Sequence, residues 1–369
     1  MSSFTAPSRL LFGPGPSMVA PRVYEAMRQP VVGHLDPFFF QVTDDVRALL
    51  GYAFSTKNQF NIAISGTGSS GMEAAVANLT EPGDKFAMLT NGFFGDRIGD
   101  MAARHGGQVV KLAKHWGEPY DPQEAREFIQ RERPRVVAFV QAETSTGMYN
   151  QAKPICEAAH EVDALVIADC VTSLGGMPVL VDENGIDVAY SCSQKGLGCP
   201  PGLAPITVSP RAWDRVKARK TPVQSFYLDF QLLDSFYTGH KYHHTASATL
   251  LYAIREGLAI VKEETLEARW DRHRKNHEAF VAGIEAMGLS MHVAAGHRLW
   301  TLNTPKVPAG ADDAKVRAWL LENRSMEIAG GFGPLAGKVF RIGTMGYSST
   351  AENVQLILES LAEALKHAR

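Results

Sequence analysis

Cysteine is scarce in this chain, and the four that occur (Cys156, Cys170, Cys192 and Cys199) form neither a CxxC pair nor a disulfide-like framework. That pattern fits buried thiols in a reducing compartment, so the expected location is cytoplasmic. Neither sign of charge dominates. With 37 basic residues against 39 acidic ones, there is no electrostatic footprint for nucleic acid or an anionic membrane. No apolar run approaches the roughly 20 residues that span a bilayer. The start, Met1-Ser2-Ser3-Phe4-Thr5, lacks the basic and apolar regions of a secretion signal, and His367-Ala368-Arg369 is not a peroxisomal tail. Repeats and low-complexity tracts are missing as well. What remains is a chain of 369 residues, 45% hydrophobic, with room for about two domains and a bias toward small-molecule chemistry.

Short apolar, β-branched runs alternate with helical patterns over residues 60–208: Phe60 to Ser65, Lys85 to Thr90, Val109 to Leu112, Val136 to Gln141, Ala164 to Asp169, Val188 to Cys192 and Leu203 to Val208. This rhythm predicts an α/β domain around a mostly parallel sheet, with ligands at the carboxyl ends of the strands. Leu250, Ile254, Leu258 and Val261 form one apolar helical stripe starting near Ser247. A smaller α+β unit follows, with a strand over Arg298 to Asn303, a helix over Asp312 to Asn323, strands near Glu327 and Phe340, and a closing helix over Ala351 to His367. The expected division is an arm over 1–20, a large domain over 21–264 and a small C-terminal domain over 265–369. Leu11-Phe12-Gly13-Pro14-Gly15-Pro16 in the arm reads as a rigid loop suited to crossing a surface.

The chemistry gathers at strand ends. Asp169 closes one buried strand, and Lys195 lies just past the next, in Ser191-Cys192-Ser193-Gln194-Lys195-Gly196. A lysine amine to hold an aldehyde and a carboxylate to keep a pyridine nitrogen protonated are the two groups that pyridoxal phosphate chemistry needs. Gly66-Thr67-Gly68-Ser69-Ser70-Gly71 has the bare spacing of a dinucleotide loop, but the next strand runs into Asn91-Gly92 where a ribose-binding acid should stand. Three hydroxyls at a helix amino terminus suit a phosphate monoester instead. Asn91-Gly92-Phe93-Phe94-Gly95 offers a ring to cover a pyridine face, and Glu143-Thr144-Ser145-Thr146-Gly147 offers further hydroxyls. Arg341, inside the apolar run Lys338 to Gly343, is a candidate fork for a substrate carboxylate. The pairs His240/His244 and His273/His277 are four apart, but neither is HExxH. With Arg274 to Asn276 reading as a solvated face, no metal is expected.

Together these blocks, with Ala168-Asp169-Cys170-Val171, Pro200-Pro201-Gly202, Ser225-Phe226-Tyr227-Leu228-Asp229, Tyr242-His243-His244-Thr245 and Arg341-Ile342-Gly343, resemble the alanine-glyoxylate and serine-pyruvate aminotransferases over nearly the whole length. These are class V, fold-type I pyridoxal phosphate enzymes. The resemblance implies that Lys195 is the Schiff-base lysine and Asp169 the partner of the ring nitrogen. It gives Thr67, Gly68, Ser69 and Gln194 to the phosphate, with Tyr242 and Thr245 reaching the phosphate of the other subunit in a homodimer. Ser145 is expected near the ring hydroxyl, Phe94 on the ring face, and Arg341 with Gly15 at the substrate carboxylate. The ring-stacking position, often tryptophan in the animal enzymes, is Phe94 here. The expected reaction is ping-pong transfer from alanine or serine to glyoxylate or pyruvate. Aspartate or kynurenine donors, a cysteine desulfurase-like lyase, a non-catalytic cofactor binder and a dinucleotide oxidoreductase are the alternatives.

Overall fold

The computed structural model describes residues 5–367; residues 1–4 of the arm and the tail 368–369 lie outside them. Seven strands form the main sheet, in the order Phe60–Ser65, Leu203–Val208, Val188–Tyr190, Leu165–Asp169, Val136–Val140, Lys85–Thr90, Gln108–Ala113. Only Leu203–Val208 runs antiparallel to its neighbours. Every residue of Val136–Val140 and Leu165–Asp169 is buried, because helices cover both faces of a parallel sheet and leave no side for alternating polar residues. The carboxyl ends of the six parallel strands therefore share one edge. The loops that leave it carry Thr67, Phe94, Glu143, Asp169 and Lys195.

Ser247 starts the long helix Ala248–Glu264, its hydroxyl accepting from Leu250 N at 3.3 Å, and the buried stripe includes Leu251, Ile254, Leu258 and Val261. The helix Leu266–Ala286 links two separate cores: Leu266 packs into that of the main sheet, and Phe280 and Ile284 into a second one with Val316, Leu320, Phe340, Ile342 and Leu361. The first half of the arm belongs to this smaller unit rather than to a surface. Leu10–Leu11 pairs in parallel with Met326–Glu327, and Phe12 is wholly buried in the second core. From there residues 13–17 cross to the lysine loop, where Ser17 N donates to Gln194 O at 2.9 Å and Ser17 Oγ to Lys195 O at 2.8 Å.

Two other expectations change. The strand foreseen over Arg298 to Asn303 is only Leu302–Asn303, since Leu299 N donates to Gly147 O at 2.9 Å and Thr301 Oγ1 to Thr172 O at 2.9 Å, tying that backbone to loops of the large unit. The face around Arg274 to Asn276 is not wholly solvated. Asn276 is buried and donates to Ser349 Oγ at 3.1 Å. His273 and His277 are buried beside it. His273 accepts from Gly346 N at 2.9 Å, and burial pushes its imidazole down to about 3, which keeps it neutral.

Candidate active site

Asp169 ends its strand beside Tyr190, its register partner on the adjacent parallel strand. Its Oδ1 accepts from Val171 N at 2.9 Å and its Oδ2 from the Tyr190 hydroxyl at 2.8 Å. Burial raises the Asp169 carboxyl to about 6, against the pull of these two donors and of the Lys195 and Arg97 charges. Lys195 is buried as well, and desolvation lowers its pKa, favouring the neutral amine. Its Nζ donates to Pro14 O. Gly15 follows with φ +120, and a Cβ there would come within 3.3 Å of Lys195 Cε, so the arm lies directly on the lysine and requires glycine at that point.

A cavity of about 190 Å³ opens between them, lined by Thr67, Gly68, Ser69, Phe94, Thr144, Asp169, Gln194 and Lys195, with Arg97 at its wall. The helix Gly68–Leu79 begins on this cavity without a side-chain cap, leaving its first amides free to meet an anion. The hydroxyl of Ser70 turns away to donate to Thr67 O at 2.7 Å, so Thr67 and Ser69 are the two hydroxyls of that loop on the cavity. Gln194 Oε1 is buried there without a hydrogen-bond partner among the described residues. Two hydroxyls, free amides and the carboxamide of Gln194, with a carboxylate at one end and an amine beside it, are the groups that a phosphorylated pyridine aldehyde requires. At Gly68 a Cβ would meet Cys192 Cβ at 3.2 Å, which keeps that wall of the cradle flat.

The structure brings together most of the residues expected from sequence and reassigns one. Ser145 does not line the cavity. Its hydroxyl accepts from Phe93 N at 3.0 Å and donates to Glu143 Oε1 at 2.5 Å, while its neighbour Thr144 lines the wall where the ring hydroxyl was expected. Tyr242 and Thr245 are exposed and do not line the cavity within this chain. Arg341 is half-buried. Its Nε donates to Gly330 O at 2.8 Å, its guanidinium lies 4.4 Å from the Phe332 ring centroid, and burial lowers its pKa to about 10 while the Glu143 charge opposes the shift. Phe93 and Trp116 meet Phe332 edge-on at 5.0 and 5.9 Å, forming an aromatic wall beside Arg341.

Tyr190, Arg97 and Phe332 escaped the sequence reading, and Glu143 and Thr144 appeared in it only within the block that supplied hydroxyls, with no role of their own. Tyr190 carried a signal: it lies in the run Val188 to Cys192, the next after the one that ends in Asp169, and the structure pairs the two residues across adjacent strands. Arg97 stands one turn past Phe93 on the same helix, with Nη1 3.4 Å from Ser69 Oγ and its guanidinium 5.1 Å from the Phe94 ring centroid. Nothing local in the sequence told that arginine from the solvated charges around it.

This fold and site define a class V aminotransferase, and the chain belongs to that family: the aminotransferase class-V model matches residues 9–328. The family's members are pyridoxal phosphate enzymes of fold-type I. The chain is 42% identical to an alanine–glyoxylate aminotransferase of Drosophila melanogaster, covering 98% of this chain and 94% of the fly protein. It is 40% identical to an (S)-ureidoglycine–glyoxylate transaminase of Bacillus subtilis (strain 168), over 98% and 92%. A crystal structure of an alanine–glyoxylate aminotransferase from Nostoc sp. superposes with a TM-score of 0.97 at 44% identity, over 99% of this chain and 97% of that one. Among the described residues no helix is long and apolar enough to cross a membrane.

Proposed function

We propose that this aminotransferase moves the amino group of alanine or serine to glyoxylate or pyruvate, in two half-reactions that use one cavity in turn. Pyridoxal phosphate, when bound, supplies an aldehyde for the amine and a ring that takes up the electrons released at the substrate Cα. Thr67, Ser69, Gln194 and the free amides at Gly68 would hold its phosphate, and Phe94 would pack against its ring. Asp169, fixed by Tyr190 and Val171, holds a proton at the ring nitrogen. Lys195 Nζ, kept neutral by desolvation and so able to accept a proton, would take it from the donor's Cα and pass it to the carbon that had been the cofactor's aldehyde, and would run the same transfer backward with the acceptor. Arg341 receives the carboxylate common to donor and acceptor, with Gly15 leaving room beside the amine. Tyr242 and Thr245 serve a neighbouring subunit's phosphate in a homodimer, which fits their exposure. The buried free thiols fit a cytoplasmic location.

The observation that carries the choice of donor is the surroundings of Arg341. A donor with a second carboxylate meets the rings of Phe332, Phe93 and Trp116 there, so a small neutral side chain is favoured. All three similar proteins named above carry glyoxylate in their names, which supports it as the acceptor. The test is a single-turnover panel with alanine, serine, aspartate, glutamate, kynurenine and (S)-ureidoglycine, each followed by reoxidation with glyoxylate, pyruvate or 2-oxoglutarate. Alanine or serine should lead in rate over concentration. If another donor leads by about tenfold, the donor assignment fails and the aminotransferase class stands.

A further inference from the structure

Helix Phe93–Arg104 starts behind Gly92, which has no side chain with which to cap it. Its first amides are nevertheless paired, by residues from a different strand end. Phe93 N donates to Ser145 Oγ at 3.0 Å, and Phe94 N and Gly95 N donate to Glu143 Oε2 at 3.1 and 3.3 Å. On the other oxygen, Glu143 Oε1 accepts from Ser145 N at 3.0 Å and from Ser145 Oγ at 2.5 Å. Four donors thus converge on one fully buried carboxyl at the positive end of a helix; burial raises it to about 7, and the hydrogen bonds from Ser145 and Gly95 oppose that rise. The fit is close: a Cβ on Gly92 would lie 2.3 Å from Glu143 Cγ and 2.6 Å from Ser145 Oγ. One turn further on, the Arg97 guanidinium lies near both Phe93 and Phe94, so the ring is held from the helix side as well.

We infer that Glu143 is a positioning residue that fixes Phe94 over the cofactor ring, with Ser145 as its second arm. This rests on the reading above that Phe94 is the ring-covering side chain. The physical reason is the geometry of the helix start. A helix beginning at a glycine without its own cap frays unless another group takes its amides, and here the second and third of those amides belong to Phe94 and Gly95. Glu143 holds two of them with one oxygen and is itself fixed by Ser145 through the other. Neither Glu143 nor Ser145 lines the cavity, so both act through Phe94 rather than on the cofactor or the substrate.

A double-mutant cycle on the apoprotein tests this, read as the dissociation constant for pyridoxal 5′-phosphate and the induced circular dichroism of the bound cofactor. Glu143→Gln keeps the side-chain shape but replaces one accepting oxygen with an NH2 that faces other N–H groups. Phe94→Ala and Glu143→Gln should each weaken binding by about tenfold and reduce the induced signal. Combined, they should weaken it no further than Phe94→Ala alone, because the glutamate then has no ring to position. If the two effects multiply in the double variant, Glu143 acts independently of Phe94 and the inference is overturned. Should Glu143→Gln not fold, as judged by far-UV circular dichroism, Ser145→Ala replaces it in the same cycle. That variant removes the Phe93 contact and the Ser145 Oγ–Glu143 Oε1 hydrogen bond but leaves Glu143 on Phe94 N and Gly95 N, so a smaller loss, absent on the Phe94→Ala background, supports the inference, and a loss that persists there overturns it. Unchanged affinity in Phe94→Ala would remove the ring-covering reading itself, and this inference with it.

Discussion

Tyr190 donates its hydroxyl to Asp169 Oδ2 at 2.8 Å from the position directly opposite it on the next parallel strand. The bond holds the carboxylate toward the cavity and opposes the burial that raises Asp169 to about 6. Tyr190→Phe keeps the packing and removes this donor, so the Asp169 pKa rises further. The alanine half-reaction should then slow by roughly tenfold near neutral pH and recover as the pH rises, its acidic limb displaced upward by about one unit. A stopped-flow pH profile checks this, and an acidic limb that stays in place would show that Tyr190 does not act on Asp169.

Asp169 also carries a stability cost in the apoprotein. Its folded pKa of about 6 lies above the ordinary 3.8, so the folded chain binds that proton more tightly than the unfolded chain does. The corresponding stability is present below the ordinary carboxylate range and is lost as the pH rises through about 6, a penalty of roughly 3 kcal/mol at pH 7.5. Asp169→Asn never ionises. Its apoprotein should melt ~3 °C or more above the parent at pH 7.5, with the gap closing near pH 4, while the rate with alanine falls by about three orders of magnitude or more. Calorimetry at the two pH values and a single-turnover rate measure both halves of the statement.

Most of the scaffold was legible because long apolar runs allow only one period. The seven strands, and Ile254, Leu258 and Val261 of the helical stripe, are where alternation and length place them, while Leu251 rather than Leu250 is the buried residue at its start. The misplacements are local. Phe12 and Asn276 are buried through contacts with distant elements, Glu327 and Ser349, that no window of sequence contains. At the site, Lys195, Asp169, Thr67 and Ser69 follow from residue type at a strand end. Which of two adjacent residues faces inward does not, and so Ser145 was expected on the cavity wall where Thr144 stands. Register decided that point, and it became visible only once Glu143 and Ser145 were seen to cap the helix at Phe93.

Arg341 has Nε committed to Gly330 O, and its two terminal nitrogens make no hydrogen bond among the described residues. Those two nitrogens suit a carboxylate, a geometry that lysine does not reproduce. Arg341→Lys should raise KM for both the amino and the keto acid by about tenfold or more, with the cofactor dissociation constant within about twofold of the parent. A comparable loss of cofactor affinity would place Arg341 at the cofactor instead.

Exposed Tyr242 and Thr245 are argued to complete a neighbouring site, so two inactive variants should rescue each other. Lys195→Ala subunits mixed with Tyr242→Phe/Thr245→Ala subunits should regain up to about a quarter of parent activity, since one site in each hybrid dimer has every residue intact. No recovery after subunit exchange confirmed by mass spectrometry would contradict shared sites.

The central claim is that Lys195 is both the anchor of the cofactor aldehyde and the base at the substrate Cα, with Asp169 behind the ring. Single-turnover spectroscopy of the purified holoenzyme and of Lys195→Ala tests it most directly. The parent should be yellow, lose its visible band on addition of L-alanine and regain it with glyoxylate. Lys195→Ala should retain added pyridoxal phosphate through Thr67, Ser69 and Gln194 yet convert alanine at least about 10⁴-fold more slowly. Alanine turnover by Lys195→Ala at close to the parent rate would contradict the account.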